Sequence, residues 1–259
     1  MVIDSHCHLD LLAEKKDINQ VLLEAAEAQV AAIVVPGINE QNWMAVNQLA
    51  NEHAMVSFAL GFHPMFLDKV GAGSIGRLEQ RIAESISNSK LVAVGECGLD
   101  LYQGRENERQ QKSLLIEQIR IANQHQLPVI LHCRKAHQDL IALLKQNPPL
   151  NGGVIHGFSG SYQQAMDYVN LGLKIGVGGV ITYQRAQKTR STIATLPLES
   201  LLLETDAPDM PLCGYQGRPN EPKMVKMVLS SLIMLRSENK QTVTSQLLKN
   251  SKSTFKFCD

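Results

Sequence analysis

Eight short apolar segments recur along the chain, and longer amphipathic stretches separate them. The segments are rich in valine, isoleucine and leucine and alternate little with polar residues, which is typical of strands buried on both faces. Eight such strands alternating with helices favour a parallel sheet that closes into a barrel. We therefore predict an α/β fold of the (β/α)8 TIM-barrel type. The predicted strands are Val2–His8, Ala31–Pro36, Met55–Gly61, Leu91–Glu96, Pro128–His132, Gly153–His156, Leu173–Val177 and Leu201–Glu204.

Apolar residues at spacings of three and four predict helices between and after these strands. The predicted helices are Asp17–Gln29, Glu106–Gln124, 186–196, 220–235 and 240–249. The stretch Ala207–Pro222 is rich in proline and glycine, and it predicts a long loop after strand eight. A doubly wound open sheet is the structural alternative. That fold usually carries a glycine-rich phosphate loop after its first strand, where this chain has His6-Cys7-His8.

Length and charge limit the classes of protein to consider. The 259 residues suit one barrel domain spanning 1–259, and we expect a monomer. Because 25 basic residues balance 25 acidic ones, no global field attracts duplex nucleic acid, and an anionic substrate needs a local patch. The chain starts without the features of a signal peptide and lacks an apolar run of about 20 residues. Five cysteines without a CxxC pair fit a reducing cytoplasm.

Ionisable residues stand at the carboxyl ends of several predicted strands, where barrel enzymes place their active sites. His6 and His8 are two residues apart, so both side chains would point the same way from an extended strand. The others are Glu96, His132, His156 and Asp206. Six such residues are too many for one ordinary zinc, so we predict two divalent ions that share the carboxylate of Glu96. The donors suit Zn, Mn, Fe or Ni, and Mg less well.

Three further positions have both a functional and a structural interpretation. His63 follows strand three and would contact substrate or transfer a proton, unless it is only a loop histidine beside Pro64. Glu204 would share a face with Asp206 and orient a ligand or a water, or else form a structural salt bridge. Arg134, two residues past His132, is the best candidate for an anion contact. The other basic candidates are Lys135, Arg185, Lys188, Arg190 and Arg218, for which solvated loop charges are the alternative.

Three cysteines adjoin the proposed ligands: Cys7, Cys97 and Cys133. Thiolate ligands would favour zinc or iron. Neighbouring residues on a strand, however, point to opposite faces. If the proposed ligands point into the barrel mouth, the thiols point into the layer between strands and helices, where a free cysteine acts as a small apolar residue. We therefore predict that these cysteines pack and do not bind metal.

The motifs around His6, Glu96 and Asp206 resemble those of the TatD family of metal-dependent hydrolases, and the stretches Lys174–Thr182 and Glu204–Pro211 look closest to its YjjV branch. The resemblance is carried by Asp4–His8, Gly61–Pro64, Gly95–Asp100, His132–Asp139, His156–Gly160 and Glu204–Pro208, and it extends to the C-terminal Asn250–Phe255. It implies a barrel, two divalent metals and hydrolysis of phosphodiester bonds in DNA. The chain departs from the usual family pattern at Cys97, Gly157, Asp209 and Pro219. None of these removes a ligand, but Asp209 and Pro219 alter the rim that would contact substrate.

By position in these motifs, the resemblance implies a role for each site residue. His6, His8 and Asp206 would hold one ion, and Glu96 would bridge it to a second. His132 and His156 would hold that second ion. Asp206 would also orient or deprotonate the attacking water, and His63 and Arg134 would lie near the substrate phosphate.

The leading functional hypothesis is a deoxyribonuclease with a preference for single strands or strand ends. The first alternative is an amidohydrolase or lactonase on the same barrel. Many such sites bridge their metals with a modified lysine at the end of strand four, where this chain has Glu96. The second alternative is a non-catalytic protein that binds metal or nucleic acid. A complete ligand set and a balanced net charge disfavour it.

Overall fold

A computed structural model describes residues 1–257 and shows eight parallel strands in one sheet, in the order β1 to β8. Each strand pairs with the next one along the chain, so the order never reverses as it does in a doubly wound sheet. The predicted barrel is therefore confirmed. The strands are β1 Val2–Asp4, β2 Val30–Pro36, β3 Val56–Leu60, β4 Leu91–Asp100, β5 Val129–Arg134, β6 Gly153–Ile155, β7 Leu173–Val177 and β8 Leu201–Leu203.

The barrel closes between its first and last strands through backbone hydrogen bonds just beyond them. The amide of Ser5 donates to the carbonyl of Leu203 at 2.9 Å, and the amide of His8 donates to Ala207 at 2.7 Å. In the opposite direction, the amide of Asp206 donates to the carbonyl of His6 at 2.9 Å. These bonds bring the segment after β1 beside the segment after β8.

Ten α-helices in the described residues follow the strands or lie between them. They are α1 Leu9–Ala13, α2 Ile18–Glu27, α3 Glu40–Glu52, α4 Ser74–Ser85, α5 Glu108–Gln124, α6 His137–Gln146, α7 Tyr162–Asn170, α8 Gln187–Thr195, α9 Val225–Leu235 and α10 Lys240–Phe255. The predicted helices are present with shifted ends. For example, α2 begins at Ile18 because the side chain of Asp17 caps it by accepting the amide of Asn19. None of the helices within 1–257 has the length and apolar character required to cross a membrane.

The core has two layers that follow from the alternation of side chains along each strand. Inward-facing residues fill the barrel, and outward-facing residues such as Leu60 and Leu131 pack against the helices. The barrel interior contains Val34, Ala59, Ala93, Ile130, Val154 and Leu202, together with Phe255 from α10. Val92 joins this cluster where the register between β3 and β4 shifts and the alternation is broken. The side chain of Asn250 donates to the carbonyls of Leu198 and Leu201, both at 2.9 Å. These contacts hold α10 at the amino-terminal end of the strands, and they explain why it runs beyond the predicted residue 249.

Candidate metal centre

The two histidines that follow β1 are brought together although the strand ends earlier than predicted, at Asp4. The chain stays extended because the amide of Cys7 donates to the carbonyl of Val34 at 3.0 Å, and Cys7 also pairs with Ala207 in an isolated bridge. His6 and His8 therefore still point the same way, and their Nε2 atoms lie 3.3 Å apart.

A buried carboxylate fixes these histidines relative to Asp206. Asp4 is fully buried, and it accepts hydrogen bonds from the amide of Thr205 at 2.9 Å and from its hydroxyl at 2.6 Å. The amide of His6 also lies 3.4 Å from Asp4 Oδ1. Asp4 was not among the site residues predicted from sequence. It stands two residues before His6 in the same motif, which is the signal that marks it.

Glu96 lies at the centre of the site, and its two oxygens face different groups of donors. Its Oε2 is 3.1 Å from Nε2 of His6 and 3.4 Å from Nε2 of His8. Asp206 completes this first group, because its Oδ1 lies 3.5 Å from His6 Nε2 and 3.7 Å from His8 Nε2. Four donors from three segments of the chain thus surround one point.

The other oxygen of Glu96 faces three more histidines. Its Oε1 lies 2.8 Å from Nε2 of His156, 2.9 Å from Nε2 of His63 and 3.1 Å from Nδ1 of His132. His132 Nδ1 and His156 Nε2 are 3.2 Å apart. Every proposed metal ligand therefore belongs to one of two groups that meet at Glu96.

The donor set fits divalent metal ions. Ligands held about 2.0–2.1 Å from a tetrahedral ion lie about 3.3 Å from one another, close to the spacings within both groups. Glu96 Oε2 is buried and accepts no hydrogen bond with good geometry, which is costly unless a cation is its partner. Imidazole and carboxylate are the donors that zinc and its neighbours in the transition series bind.

Burial and mutual charge oppose each other in this cluster. Burial raises the pKa of Glu96, but its interactions with the imidazoles of His63, His156 and His6 outweigh burial and hold the pKa well below its usual range. Burial lowers the pKa of His6 well below its usual value, so its ring favours the neutral form that binds metal. For His156 burial acts in the same direction, but the neighbouring Glu96 charge raises the pKa overall. A proton there competes with a metal ion.

His63 and His132 differ in which ring nitrogen is available. The amide of Met65 donates to Nδ1 of His63 at 3.1 Å, so the neutral ring carries its proton on Nε2, the atom that faces Glu96. By distance alone His63 could be a ligand, but this tautomer makes it a hydrogen-bond donor. In His132, Nε2 lies 2.9 Å from Oδ2 of Asp100, which leaves Nδ1 as the metal-donor atom. Sequence reasoning missed Asp100, although it ends the motif that contains Glu96.

Glu204 lies next to the second group of donors, because it binds the residue that follows His156. It is fully buried, and its Oε1 accepts the amide of Gly157, the residue after His156, at 2.5 Å. Burial raises the pKa of Glu204 to about 8. Among residues 1–257, no lysine or arginine forms an ion pair with it, which favours a role in orienting its neighbours over a structural salt bridge. Room for this carboxyl depends on Gly176, whose hypothetical Cβ would lie 2.3 Å from Glu204 Oε2.

The three cysteines lie outside both donor groups, as predicted. Cys7 and Cys97 are fully buried in the cluster between strands and helices. The thiol of Cys133 contacts His137 Nδ1 at 3.3 Å and the hydroxyl of Tyr168 at 3.5 Å, on α6 and α7.

The predicted basic residues make different contacts. Arg190 donates to the carbonyl of Ile181 and so has a structural role. The guanidinium of Arg134 stacks on the ring of Tyr102, with Cζ 3.6 Å from the ring centroid. Arg185 lies over a different ring, Tyr183, at 5.1 Å. Lys135, Lys188 and Arg218 are exposed.

Comparison with known proteins identifies the family to which this barrel belongs. The family model described as TatD related DNase matches residues 3–256. The chain belongs to the TatD family. It is 46% identical over 253 residues to the uncharacterized metal-dependent hydrolase YjjV of Escherichia coli K12, covering 98% of this chain and 97% of that protein. The crystal structure of that TatD homologue matches with a TM-score of 0.95 over 99% of this chain and 98% of its own.

Other TatD-family relatives extend the comparison. The chain is 33% identical over 248 residues to a protein named 3'-5' ssDNA/RNA exonuclease TatD from Pantoea sp. At-9b, covering 93% of this chain and 94% of that one. A TatD-family hydrolase from Entamoeba histolytica shares the fold, with a TM-score of 0.83 at 21% identity over 98% of this chain and 97% of its own. The present chain is thus a metal-dependent hydrolase of the TatD family, with groups of His, Glu and Asp that can hold metal.

Proposed function

We propose that this TatD-family hydrolase is a two-metal phosphodiesterase, and specifically a deoxyribonuclease that acts on single strands or strand ends. The main support is the position of the Glu96 carboxylate, which directs one oxygen toward each group of donors. The first ion would be held by His6, His8 and Asp206 with Glu96. The second would be held by His132 and His156 with the same Glu96. Zn, Mn, Fe, Ni or Mg are the candidates, and the chain 1–259 would act as one monomeric domain.

The ions, when bound, would polarise a phosphoryl oxygen and lower the pKa of a coordinated water. Asp206 would orient that water and accept its proton. In support of this role, Oδ1 faces the histidines, whereas Oδ2 accepts no hydrogen bond from any residue of 1–257. Burial raises the pKa of Asp206, which makes the carboxylate a stronger base.

His63 and Arg134 would donate hydrogen bonds to the substrate phosphate. Glu204 would hold a metal ligand in position. The Nε2 proton of His63 points toward Glu96 Oε1, so a phosphoryl oxygen beside that carboxylate would receive it. Arg134 is exposed at the end of β5, two residues beyond His132, and offers a fixed fork of donors to a phosphate. Glu204 would keep the segment after β6 in place through Gly157, and thereby keep His156 aimed at the second ion.

The alternatives make different predictions about the bridge and about turnover. An amidohydrolase or lactonase would act on C–N or C–O bonds, often with a modified lysine between its metals. Here the carboxylate of Glu96, and not a lysine, stands between the two groups of donors at the end of strand four, which favours the phosphodiesterase. A non-catalytic protein would bind metal or nucleic acid without turnover.

The test begins with elemental analysis of protein purified without added metal. We expect two ions per chain, falling to one or fewer in Glu96→Ala with the barrel still folded by circular dichroism. The loaded protein is then assayed on single-stranded DNA labelled at either end, closed circular duplex, a small phosphodiester, and a panel of amides and lactones. Cleavage of single strands that Glu96→Ala abolishes supports the proposal. Turnover of the amide or lactone panel alone, or a fully active and fully metallated Glu96→Ala, contradicts it.

A further inference from the structure

Strands β4 and β5 extend farther than their neighbours beyond the metal centre. β4 ends at Asp100, four residues after Glu96, and β5 ends at Arg134, two residues after His132. Asp100 and Arg134 are paired in register, and the amide of Leu101 donates to the carbonyl of Arg134 at 2.9 Å. By contrast, β1, β6 and β8 end before their donor residues. The two long strands therefore form a rigid rim beside the mouth of the barrel.

Asp100 connects this rim directly to the metal centre. Its Oδ2 lies 2.9 Å from Nε2 of the proposed ligand His132. Its Oδ1 accepts the backbone amide of Tyr102 at 2.9 Å. One carboxylate thus fixes Tyr102 relative to a ligand of the second ion, and a tyrosine held in this way is placed before any substrate binds.

Tyr102 and Arg134 have surfaces at this rim that could contact a ligand. The tyrosine is 56% exposed, and the guanidinium of Arg134 covers one face of its ring at 3.6 Å from the centroid. Because Arg134 covers one face, the large exposed area of Tyr102 indicates that the opposite face is open to solvent. Within residues 1–257, no carboxylate lies within ion-pair distance of Arg134, and no group accepts a hydrogen bond from it. The donor edge of the guanidinium is therefore open as well.

We propose that Tyr102 and Arg134 form a nucleotide-binding platform for the residue next to the scissile bond. The base would stack on the open face of Tyr102, and its phosphate would bind the donor edge of Arg134. Such stacking tolerates any base, because every base has a π face, but it requires the base to be unpaired. The platform deepens the proposed function and rests on it: it gives a chain without net charge a local means of selecting single-stranded over duplex DNA.

The test uses binding in chelator, so that no cleavage occurs. Protein is titrated into a fluorescein-labelled oligothymidylate of eight nucleotides, and binding is followed by fluorescence anisotropy. The same titration is made with a strand in which abasic sites replace the bases. We expect Tyr102→Ala to weaken binding of the oligothymidylate about 5- to 150-fold, the range for loss of base–aromatic stacking, and to leave the abasic strand unaffected. Tyr102→Phe keeps the ring and should bind as the unsubstituted protein does. The matched control is Tyr162→Ala, which removes another exposed tyrosine, 46% accessible at the start of α7.

Arg134 should affect both oligonucleotides, because a phosphate contact does not depend on the base. We expect Arg134→Ala to weaken binding of both strands and to reduce the slope of log affinity against log salt by about 0.7. The control is Arg81→Ala, which removes a partly buried arginine of α4 that is 3.7 Å from Glu84. Thermal melting of each variant shows whether the fold is retained.

The outcomes separate this platform from the proposed function. The platform is wrong if the unsubstituted protein does not bind the oligothymidylate, if Tyr102→Ala binds it normally, or if that variant loses affinity equally for both strands. Hydrolysis of a small phosphodiester without a base is measured separately on metal-loaded protein. Base-dependent binding without any phosphodiester hydrolysis supports the platform and contradicts the proposed function. Hydrolysis with no effect of Tyr102→Ala on either oligonucleotide contradicts the platform alone.

Discussion

Asp100 lies 2.9 Å from Nε2 of His132, on the side of the ring away from Glu96. This contact fixes the tautomer of His132 and makes Nδ1 a stronger donor. Removing such a partner typically lowers metal affinity about 10- to 100-fold. We expect Asp100→Ala to lower the affinity for the second ion by that factor and to leave the affinity for the first ion unchanged. Both affinities can be measured by competition with a chromophoric chelator. Asp68→Ala, at an exposed acid, is the control. If Asp100→Ala binds the second ion as tightly as the unsubstituted protein does, the contact does not tune the site.

His63 should be needed for turnover but not for metal content. Its Nδ1 accepts the amide of Met65, so its Nε2 carries the proton and cannot bind an ion while the ring is neutral. We expect His63→Ala to retain both ions and to lower kcat about 10²-fold or more, the usual contribution of general acid–base groups. His132→Ala, in contrast, should lose one ion. If His63→Ala loses a metal equivalent in elemental analysis, His63 is a ligand and our tautomer assignment is wrong.

Gly176 should be intolerant of even a methyl group. A Cβ there would lie 2.3 Å from Oε2 and 2.7 Å from Cδ of Glu204, a buried side chain held by the amide of Gly157. We expect Gly176→Ala to destabilise the protein by about 1–3 kcal/mol in urea unfolding, as overpacking usually does. In Gly76→Ala the new methyl meets no atom within 4 Å and lies within α4, so it should be neutral or stabilise by about 0.5–1 kcal/mol. Similar stability of the two variants would show that Glu204 moves freely.

The three cysteines should be dispensable for metal binding. Cys7 and Cys97 lie among apolar side chains, and Cys133 contacts residues of α6 and α7. We expect Cys7→Ala, Cys97→Ala and Cys133→Ala each to retain both ions and most activity. Stability should fall by about 1 kcal/mol, as for other small losses of buried volume. Elemental analysis of the three variants tests this, and loss of one ion in any of them would show that sulfur is a ligand.

The barrel, and the strand ends at which the candidate site lies, could be predicted from the amino-acid sequence alone. Hydrophobic runs mark strands because a strand covered on both faces must be apolar, and this local property is visible without the fold. Ionisable residues at the ends of such runs are conspicuous for the same reason, so His132 and His156 could be recognised as candidates. The alternation of side chains also placed Cys7 outside the mouth, since it depends only on the parity of positions.

How these residues face one another could not be predicted, because it depends on contacts between distant parts of the chain. The division of the Glu96 oxygens depends on how five histidines from four segments of the chain are brought together, and no periodicity encodes that arrangement. β4 continues to Asp100 because it pairs with β5, and this pairing creates the contacts of Asp100 with His132 and Tyr102. Strand pairing and the directions of buried side chains are set by packing between distant parts of the chain. Local sequence therefore indicates which chemical groups the site contains, but their distances and hydrogen-bond partners are set only when the barrel closes.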